Sequence, residues 1–204
     1  MTKRALSSNE DLPKHVVFVT GNKGKLEEVG AILSPEFVVE SIDINLVEIQ
    51  GTAVEIVDAK CKTSSKIITM THFVEDTSLF INGWNGLPGP YIKSFLSSVG
   101  NDGILGMMSQ QGAGDDRGAK AVCNIGLVEN DTCVIFTGTT EGFIPTAQRG
   151  NNGFGWDSIF EVETANGELK TFAQMTKKEK NEVSPRRKAV ECLKAYLMKD
   201  LKSV

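Results

Sequence analysis

The chain has 204 residues, of which 40% are hydrophobic and 24% are charged, and its formal net charge at pH 7 is −4. This composition is typical of a globular domain and excludes a disordered chain, a collagen and a coiled coil. No stretch approaches the ~20 apolar residues of a membrane span, and the acidic balance is unlike that of proteins that wrap a nucleic-acid backbone. We therefore expect neither a membrane nor a nucleic acid among the partners.

Cysteine and histidine usage limits the possible chemistry. The four cysteines are scattered without a C-x-x-C pair, which favours reduced thiols over a disulfide framework: Cys61, Cys123, Cys133 and Cys192. The first twelve residues lack the apolar run of a secretory signal, so we predict a cytoplasmic protein. The two histidines leave little from which to build a zinc site or a histidine-dependent triad. Residues 1–13 are interpreted as a flexible lead-in and residues 14–204 as a single domain.

Strands and helices alternate along the chain. Short apolar runs predict strands, and apolar residues three or four positions apart predict helices. In chain order we predict strands at 15–20, 37–44 and 73–81, helices after 25 and from 52, a loop at 82–90, a helix at 91–110, a hairpin of strands at 119–128 and 132–142, and a last helix from 184. The second helix begins with a capping box and is expected to bury one face: Val54, Val57, Cys61 and Ile68. This order indicates an α/β protein with a mixed sheet.

The first candidate site is the glycine-containing turn between the first strand and the first helix. Backbone N–H groups at a helix N-terminus attract anions, and Lys23 and Lys25 add two positive charges. The spacing does not match a Walker A motif, because only two residues separate Gly21 from Gly24 and no hydroxyl follows Lys25. The turn is a phosphate-binding candidate outside the Walker class; an ordinary strand-to-helix connection is the alternative.

The second candidate is a group of carboxylates. Glu75 and Asp76 are adjacent within an apolar strand, where burial is costly unless the acids are paired or bind a metal, and Glu48 lies in another apolar segment. Successive strand side chains point to opposite faces, so an undistorted strand would direct only one of the pair into a shared cleft. Together these carboxylates could hold Mg²⁺, which prefers oxygen ligands; solvated acids on an edge strand are the alternative.

Two further segments could contact a nucleotide. Phe154 and Trp156 lie in a glycine-rich loop, where aromatic rings either stack on a flat base or pack against the protein body. Residues 177–188 carry six basic side chains and two acidic ones. Such a run suits a solvated helix face or, beside a metal, a polyphosphate site.

The order of these motifs resembles that of the inosine triphosphate pyrophosphatase family. The resemblance extends over about residues 15–200 and rests on five motifs: Thr20-Gly-Asn-Lys-Gly-Lys-Leu-Glu-Glu-Val29, Val74-Glu-Asp-Thr77, Gly86-Leu-Pro-Gly-Pro-Tyr-Ile-Lys93, Phe154-Gly-Trp-Asp157, and Glu179-Lys-Asn181 with Ser184 and Arg186. It implies an elongated α/β fold with a mixed sheet flanked by helices, two lobes and a central cleft.

The resemblance also implies an activity. Members of the family are homodimeric, Mg²⁺-dependent hydrolases that convert deaminated purine nucleoside triphosphates (ITP, dITP and XTP) to the monophosphate and pyrophosphate, and so cleanse the nucleotide pool. The sequence leaves open whether Mn²⁺ can replace Mg²⁺. A pyrophosphatase for other modified nucleotides and a non-catalytic nucleotide-binding module are the alternative functions.

Matching the motifs assigns roles to individual residues. The resemblance implies that Glu48 and Asp76 hold the metal and that the catalytic residues are Asp76, Glu75 and Lys25. It implies the following substrate contacts: Thr20, Gly21, Asn22, Lys23, Gly24, Lys25, Lys60, Asp76, Thr77, Lys93, Phe154, Gly155, Trp156, Asp157, Lys180 and Arg186. The resemblance also implies that Arg186 reaches the base. Its N–H donors would match the O6 acceptor of hypoxanthine and xanthine but not the amino group of adenine.

One position departs from the family pattern. The family usually has Ser-His-Arg where this chain has Ser184-Pro185-Arg186. Proline fits the first turn of a helix, so we expect the backbone to be undisturbed. The imidazole and any contact that it makes to the base are missing, so we expect hydrolysis to be retained and base selectivity to be open to change.

Overall fold

A mixed eight-stranded β-sheet carries helices on both faces. The structure is a computed structural model that describes residues 13–110, 116–130 and 132–200. The strands are β1 (Lys14–Val19), β2 (Phe37–Ile42), β3 (His72–Ile81), β4 (Pro88–Gly89), β5 (Gly118–Glu129), β6 (Thr132–Phe143), β7 (Glu161–Glu163) and β8 (Leu169–Thr171). The helices are α1 (Lys23–Leu33), α2 (Ala53–Ser64), α3 (Ile92–Gln110), α4 (Lys177–Val183) and α5 (Pro185–Asp200). The strand order is β2-β1-β3-β5-β6-β7-β8, with β4 paired to β3, which confirms the predicted mixed α/β fold.

Three clusters of buried side chains hold these layers together. Beneath α1 and α5, Phe18 of β1 stacks on Phe73 of β3 with ring centroids 4.6 Å apart. On the opposite face of the sheet, Val74 packs in a cluster with residues of α2. The third cluster joins β3 to α3 and the C-terminal strands around Phe160 and Phe172. Full burial of each such side chain contributes roughly 1.5–3 kcal/mol, so all three clusters stabilise the packing of the helices on the sheet.

One side of β3 is open in the middle of the strand. β1 pairs with β3 only as far as Phe73, and β4 pairs with it from Leu79 onward. Among the described residues, positions 74–78 therefore have a strand neighbour only on the β5 side. This gap gives both faces of β3 access to the same space.

The structure corrects several details of the predicted elements. Helix α2 ends at Ser64, so Ile68 lies beyond it, and Val54 is 50% exposed. The face that α2 buries is Ala53, Ile56, Val57, Lys60, Cys61 and Ser64. The predicted loop at 82–90 contains β4, and β7, β8 and α4 were not predicted as separate elements. The interpretation of residues 1–13 as a lead-in falls, up to residue 12, outside the described residues.

The helices and the hairpin otherwise follow the sequence patterns. β5 and β6 pair antiparallel as predicted, and α3 bends at Gly100, where the backbone adopts a φ of 65°. Ser184 caps α5, since its hydroxyl accepts a hydrogen bond from Arg187 N at 3.2 Å. Within the part of the chain that the structure describes, no helix is long and apolar enough to cross a membrane.

Candidate active site

A cavity of about 940 Å³ opens beside the gap in β3. Every residue to which the sequence analysis gave a site role lines this cavity except Lys23 and Gly24. The residues that it brings together are 20–22, 25, 48, 60, 75–77, 93, 154–157, 180 and 186. Segments far apart in the chain therefore converge on one space.

The turn between β1 and α1 is shaped by its own side chains and by two glycines. Asn22 caps α1, because its Oδ1 accepts a hydrogen bond from Lys25 N at 3.0 Å. A Cβ at Gly21 would lie 2.6 Å from Asp43 Oδ1, and one at Gly24 would lie 2.7 Å from the ring of Phe154. Each glycine therefore allows a side chain of the cavity wall to approach the turn. Gly24 itself does not line the cavity.

Glu75 is enclosed by cationic partners. Its side chain is 1% exposed, and its carboxylate lies 3.0 Å from Arg186 Nη2 and 3.5 Å from Lys25 Nζ; it also accepts a hydrogen bond from the Thr77 hydroxyl. Burial alone would raise the pKa of Glu75, but the charges of Arg186 and Lys25 outweigh it and hold that pKa well below its usual range. Glu75 is therefore ionised and a poor proton acceptor.

Asp76 has one paired oxygen and one free oxygen. Lys60 Nζ lies 2.7 Å from Asp76 Oδ1 and 3.1 Å from Glu48 Oε1, and Lys93 Nζ lies 3.3 Å from that same Glu48 oxygen. Asp76 Oδ2 is buried and has no hydrogen-bond partner. Burial raises the pKa of Asp76 more than Lys60 lowers it. Asp76 is therefore the better proton acceptor of the two adjacent acids and has an oxygen available to a ligand.

Both acids line the cavity although they point to opposite faces of β3. The expectation that an undistorted strand directs only one of them into a shared cleft is wrong here. The reason is the missing strand neighbour at positions 74–78, which leaves the cavity open to both faces. The alternative of solvated acids on an edge strand also fails, because Glu75 and Asp76 are buried.

The basic run at residues 177–188 is divided between solvent and cavity. Lys180 and Arg186 are only 6% and 5% exposed, which argues against a wholly solvated face. Lys180 Nζ lies 2.7 Å from Asp157 Oδ2 and 2.8 Å from Glu28 Oε1. Burial raises the pKa of Asp157, and the charge of Lys180 offsets part of this effect. The exposed Lys177 pairs with Glu27 on the surface of α1.

Arg186 is held by the acids rather than exposed freely to the cavity. Its Nη1 donates to Glu28, its Nε and Nη2 donate to Glu75, and Nη2 also donates to Thr77. Its position depends on Gly138 of β6, where a Cβ would collide with the backbone oxygen of Pro185. The start of α5 can therefore pack directly on the sheet.

Phe154 and Trp156 form one wall of the cavity. Lys180 Nζ lies 4.6 Å from the centroid of the Phe154 ring, a cation–π contact. Trp156 packs edge-on against Phe160, with centroids 5.5 Å apart. Trp156 thus packs on the protein body and lines the cavity at once, so the two interpretations of this loop are compatible.

Several polar residues of the site were missed by the sequence analysis. Asp43, Asn45 and Ser97 line the cavity, whereas Glu28 and Asn101 hold residues that line it. Glu28 is buried and bridges Lys180 and Arg186; its only local signal is its place on α1, one turn after Lys25. Asn101 follows the bend in α3 and donates to Gly155 O at 3.0 Å and to Ser158 Oγ at 3.1 Å. No sequence motif marks Asn101, because its partners lie in a distant loop.

The chain is similar in sequence and structure to several known proteins. Residues 16–196 match the model of the Ham1 family. The inosine triphosphate pyrophosphatase of Neurospora crassa is 41% identical over 92% of this chain and 95% of that protein, and that of Schizosaccharomyces pombe is 43% identical over 89% and 94%. Among solved structures, a HAM1 protein from Coxiella burnetii has a TM-score of 0.79 at 28% identity, covering 91% of this chain and 99% of that one. The Staphylococcus aureus Ham1 protein has a TM-score of 0.74 at 28% identity, covering 92% and 100%.

Proposed function

The chain belongs to the Ham1 family and is a hydrolase of nucleoside triphosphates, and on this premise we propose that it cleaves ITP, dITP and XTP to the monophosphate and pyrophosphate. The family resemblance seen in the sequence motifs is confirmed. The observation that carries the proposal is the convergence of the β1–α1 turn, Lys60, Glu75 and Asp76 on one cavity. Its volume is within the range of small-molecule sites, roughly 300–1,000 Å³.

The charge of the cavity supports a divalent cation as part of the proposal. Its lining contains five cationic and five acidic residues: Lys25, Lys60, Lys93, Lys180 and Arg186, and Asp43, Glu48, Glu75, Asp76 and Asp157. These lysine and arginine side chains already form ion pairs with acidic residues. A polyanionic triphosphate would therefore meet little net positive charge in the cavity. A divalent cation would supply the missing charge.

Glu48 and Asp76 fit such a cation. The buried Oδ2 of Asp76 has no hydrogen-bond partner, and carboxylate oxygens are the ligands that Mg²⁺ prefers. The described residues contain no group of three potential ligands, but Mg²⁺ is commonly held by one or two carboxylates together with waters and substrate phosphates. When bound, Mg²⁺, or Mn²⁺ in its place, would neutralise phosphate charge and lower the pKa of a bound water.

The protein's own residues provide positioning and a proton acceptor. The capped turn of α1 and Lys25 would hold phosphate oxygens. Lys60 would exchange its contact with Asp76 for a contact with the substrate. Asp76 would accept the proton of the water that attacks the α-phosphorus on a carboxylate oxygen that does not hold the cation; in the protein alone, burial raises the pKa of Asp76. Glu75 would keep Arg186 and Lys25 in place. Pyrophosphate leaves on the side opposite the attacking water, as in-line displacement requires.

Base selectivity is proposed to depend on Arg186 and the aromatic wall. Four of the five N–H groups of Arg186 are engaged by described residues, and one on Nη1 is not. Arg186 Cζ lies 5.8 Å from the centroid of the Phe154 ring, so a base stacked beside this ring would be near the remaining donor. That donor would pair with O6 of a deaminated purine and would be left unpaired by adenine, at a cost of about 1–3 kcal/mol.

We also propose a cytoplasmic homodimer with a role in cleansing the nucleotide pool. Two other functions remain as competing outcomes. Pro185 lines the cavity where the family usually has histidine, which favours, as second candidate, a pyrophosphatase for other modified nucleotides. A non-catalytic binding module would not need the free, buried oxygen of Asp76.

The test is a pyrophosphate-release screen of the full chain with ITP, dITP, XTP, ATP and GTP. We expect release with Mg²⁺, loss of release with a chelator, and a kcat/KM for ITP at least about tenfold, or ~1.4 kcal/mol, above those for ATP and GTP. A smaller preference for ITP would refute the selectivity. Orthophosphate as the first product would refute cleavage at the α-phosphorus, and turnover in excess chelator would refute the metal.

A further inference from the structure

Two thiols meet between α2 and the β5–β6 hairpin. Cys61 lies on the buried face of α2 and is 2% exposed, whereas Cys133 on β6 is partly exposed. Both face Gly126 of β5: a Cβ at that position would lie less than 3.0 Å from Cys61 Sγ and 3.3 Å from Cys133 Sγ. The absence of a side chain at Gly126 therefore lets the two sulfur atoms share one space.

The two thiols differ in reactivity. The hydrogen bond between them lowers the pKa of Cys133, and this bond together with burial raises the pKa of Cys61. A partly exposed cysteine next to a second thiol is the arrangement in which oxidation leads to a disulfide. Cys123 differs, because burial and the neighbouring Glu75 raise its pKa well above the usual range.

We propose that Cys61 and Cys133 form an oxidation site, at which a peroxide converts the two thiols into a reversible disulfide that links α2 to β6. The Cys133 thiolate attacks one peroxide oxygen, the O–O bond breaks, and the leaving hydroxide is protonated to water. The Cys61 sulfur then attacks the Cys133 sulfenic acid, so that the S–O bond breaks and the S–S bond forms. The released hydroxide takes the Cys61 proton as a second water. The thiols lose two electrons and the peroxide gains them.

The disulfide would act on the active site through Lys60, and this consequence rests on the proposed function. Lys60 is adjacent to Cys61 in α2, and its Nζ contacts Asp76 Oδ1 and Glu48 Oε1. A disulfide requires the sulfurs to approach to about 2.05 Å, which draws α2 toward β6 and moves Lys60 with it. Displacement of a positioning group by about 1 Å costs up to ~100-fold in rate, so the oxidised protein is expected to hydrolyse ITP about tenfold more slowly.

The experiment treats the full chain with hydrogen peroxide, alkylates the remaining thiols and identifies cross-linked peptides by mass spectrometry. We expect a Cys61–Cys133 peptide pair that has lost two hydrogens and is restored by dithiothreitol. Sulfinic acid at Cys133 without the cross-link, or oxidation confined to the exposed Cys192, would overturn the proposal. Because this readout uses the unmodified sequence, it does not depend on a variant that folds.

Two variants separate the oxidation site from the proposed function. Cys133→Ser should abolish both the cross-link and the reversible loss of ITP hydrolysis, whereas the matched control Cys192→Ser should keep both. A complete cross-link with unchanged hydrolysis would refute the link through Lys60. If the reduced protein hydrolyses no nucleoside triphosphate, the proposed function fails, and the cross-link still decides the oxidation site.

Discussion

The two faces of β3 carry adjacent carboxylates in opposite environments. On one face, Glu75 is held by Arg186, Lys25 and Thr77, and its pKa is lowered despite burial. On the other face, Asp76 forms an ion pair with Lys60, and it has a raised pKa and a buried oxygen without a hydrogen-bond partner among the described residues. Neighbours in sequence therefore have different chemistry, because the partners that surround them, and not the residue type, fix their protonation.

This difference indicates a division of labour. A carboxylate whose oxygens are all engaged by buried cations contributes to the structure of the site, since removing it would leave those cations unpaired. A carboxylate with a free oxygen is available to a metal, a water or a proton. We therefore assign chemistry to the Asp76 face, and substrate positioning and stability to the Glu75 face. The four predictions below test this assignment.

The largest effect is expected for Asp76→Asn. The amide keeps an oxygen for Lys60 but can neither accept the proton of water nor bind a cation through a second oxygen, so kcat should fall by about 10³-fold. Burial of the Asp76 charge is unfavourable, and Lys60 keeps Glu48 and the amide oxygen as partners, so the melting temperature should fall less than in Glu75→Gln. Steady-state kinetics and thermal unfolding of the same preparation measure both.

Mg²⁺ alone provides a control for that variant that does not depend on turnover. Ligands that bind only the folded state raise the melting temperature, so Mg²⁺ should stabilise the unmodified protein and not Asp76→Asn. If both proteins are stabilised equally, the cation is bound elsewhere, and Asp76 loses its role as a ligand.

The second effect is on stability. Glu75→Gln leaves Arg186 buried with Glu28 as its remaining acidic partner, and the loss of a buried ion-pair partner costs about 3 kcal/mol or more. Chemical unfolding at neutral pH measures the loss. Because the folded-state pKa of Glu75 lies below the ordinary value of 4.5, its contribution is present above that pH and is lost as the pH falls through the folded-state value. The difference between the two proteins should therefore shrink in acid; a constant difference would contradict the ion-pair account.

Much of this site could be predicted from the sequence, and the missing part has a physical cause. The β1–α1 turn and the acids of β3 carry local signals, because a helix start and acids in an apolar strand can be recognised within a few residues. The inward orientation of Lys180 could not be recognised in this way. Its acidic partner Glu28 lies 152 positions earlier in the chain, and a basic run looks the same whether or not such a partner exists.

The prediction of the fold from the sequence missed features for the same reason, since they depend on contacts between distant segments. β7 and β8 have three residues each, too few for a period to be seen. The open side of β3 depends on where β1 and β4 stop pairing, which no strand pattern contains. The places at which β1 and β4 stop pairing with β3 therefore allow both acids to line one cavity.

The third effect concerns the Glu75 face alone. Glu28→Gln removes the charge that bridges Lys180 and Arg186, so each cation should keep its other acidic partner, Asp157 or Glu75, but be held less firmly. We expect kcat/KM for ITP to fall by about 30-fold, or ~2 kcal/mol, mainly through KM. The neighbouring Glu27→Gln is the matched control, since Glu27 forms a surface pair with Lys177 that solvent screens. Equal losses in both variants would mean that the buried bridge has no role in binding.

The smallest effect is expected at Pro185, which lines the cavity beside Arg186 at the start of α5. Pro185→His restores the residue usual in the family, and the imidazole adds a hydrogen-bonding group next to the base. The ratio of kcat/KM for ITP to that for ATP should rise by up to about tenfold, or ~1.4 kcal/mol, while kcat for ITP stays the same, because the Asp76 face is untouched. A changed kcat with an unchanged ratio would mean that this end of α5 acts on chemistry, and the division between the two faces of β3 would then be wrong.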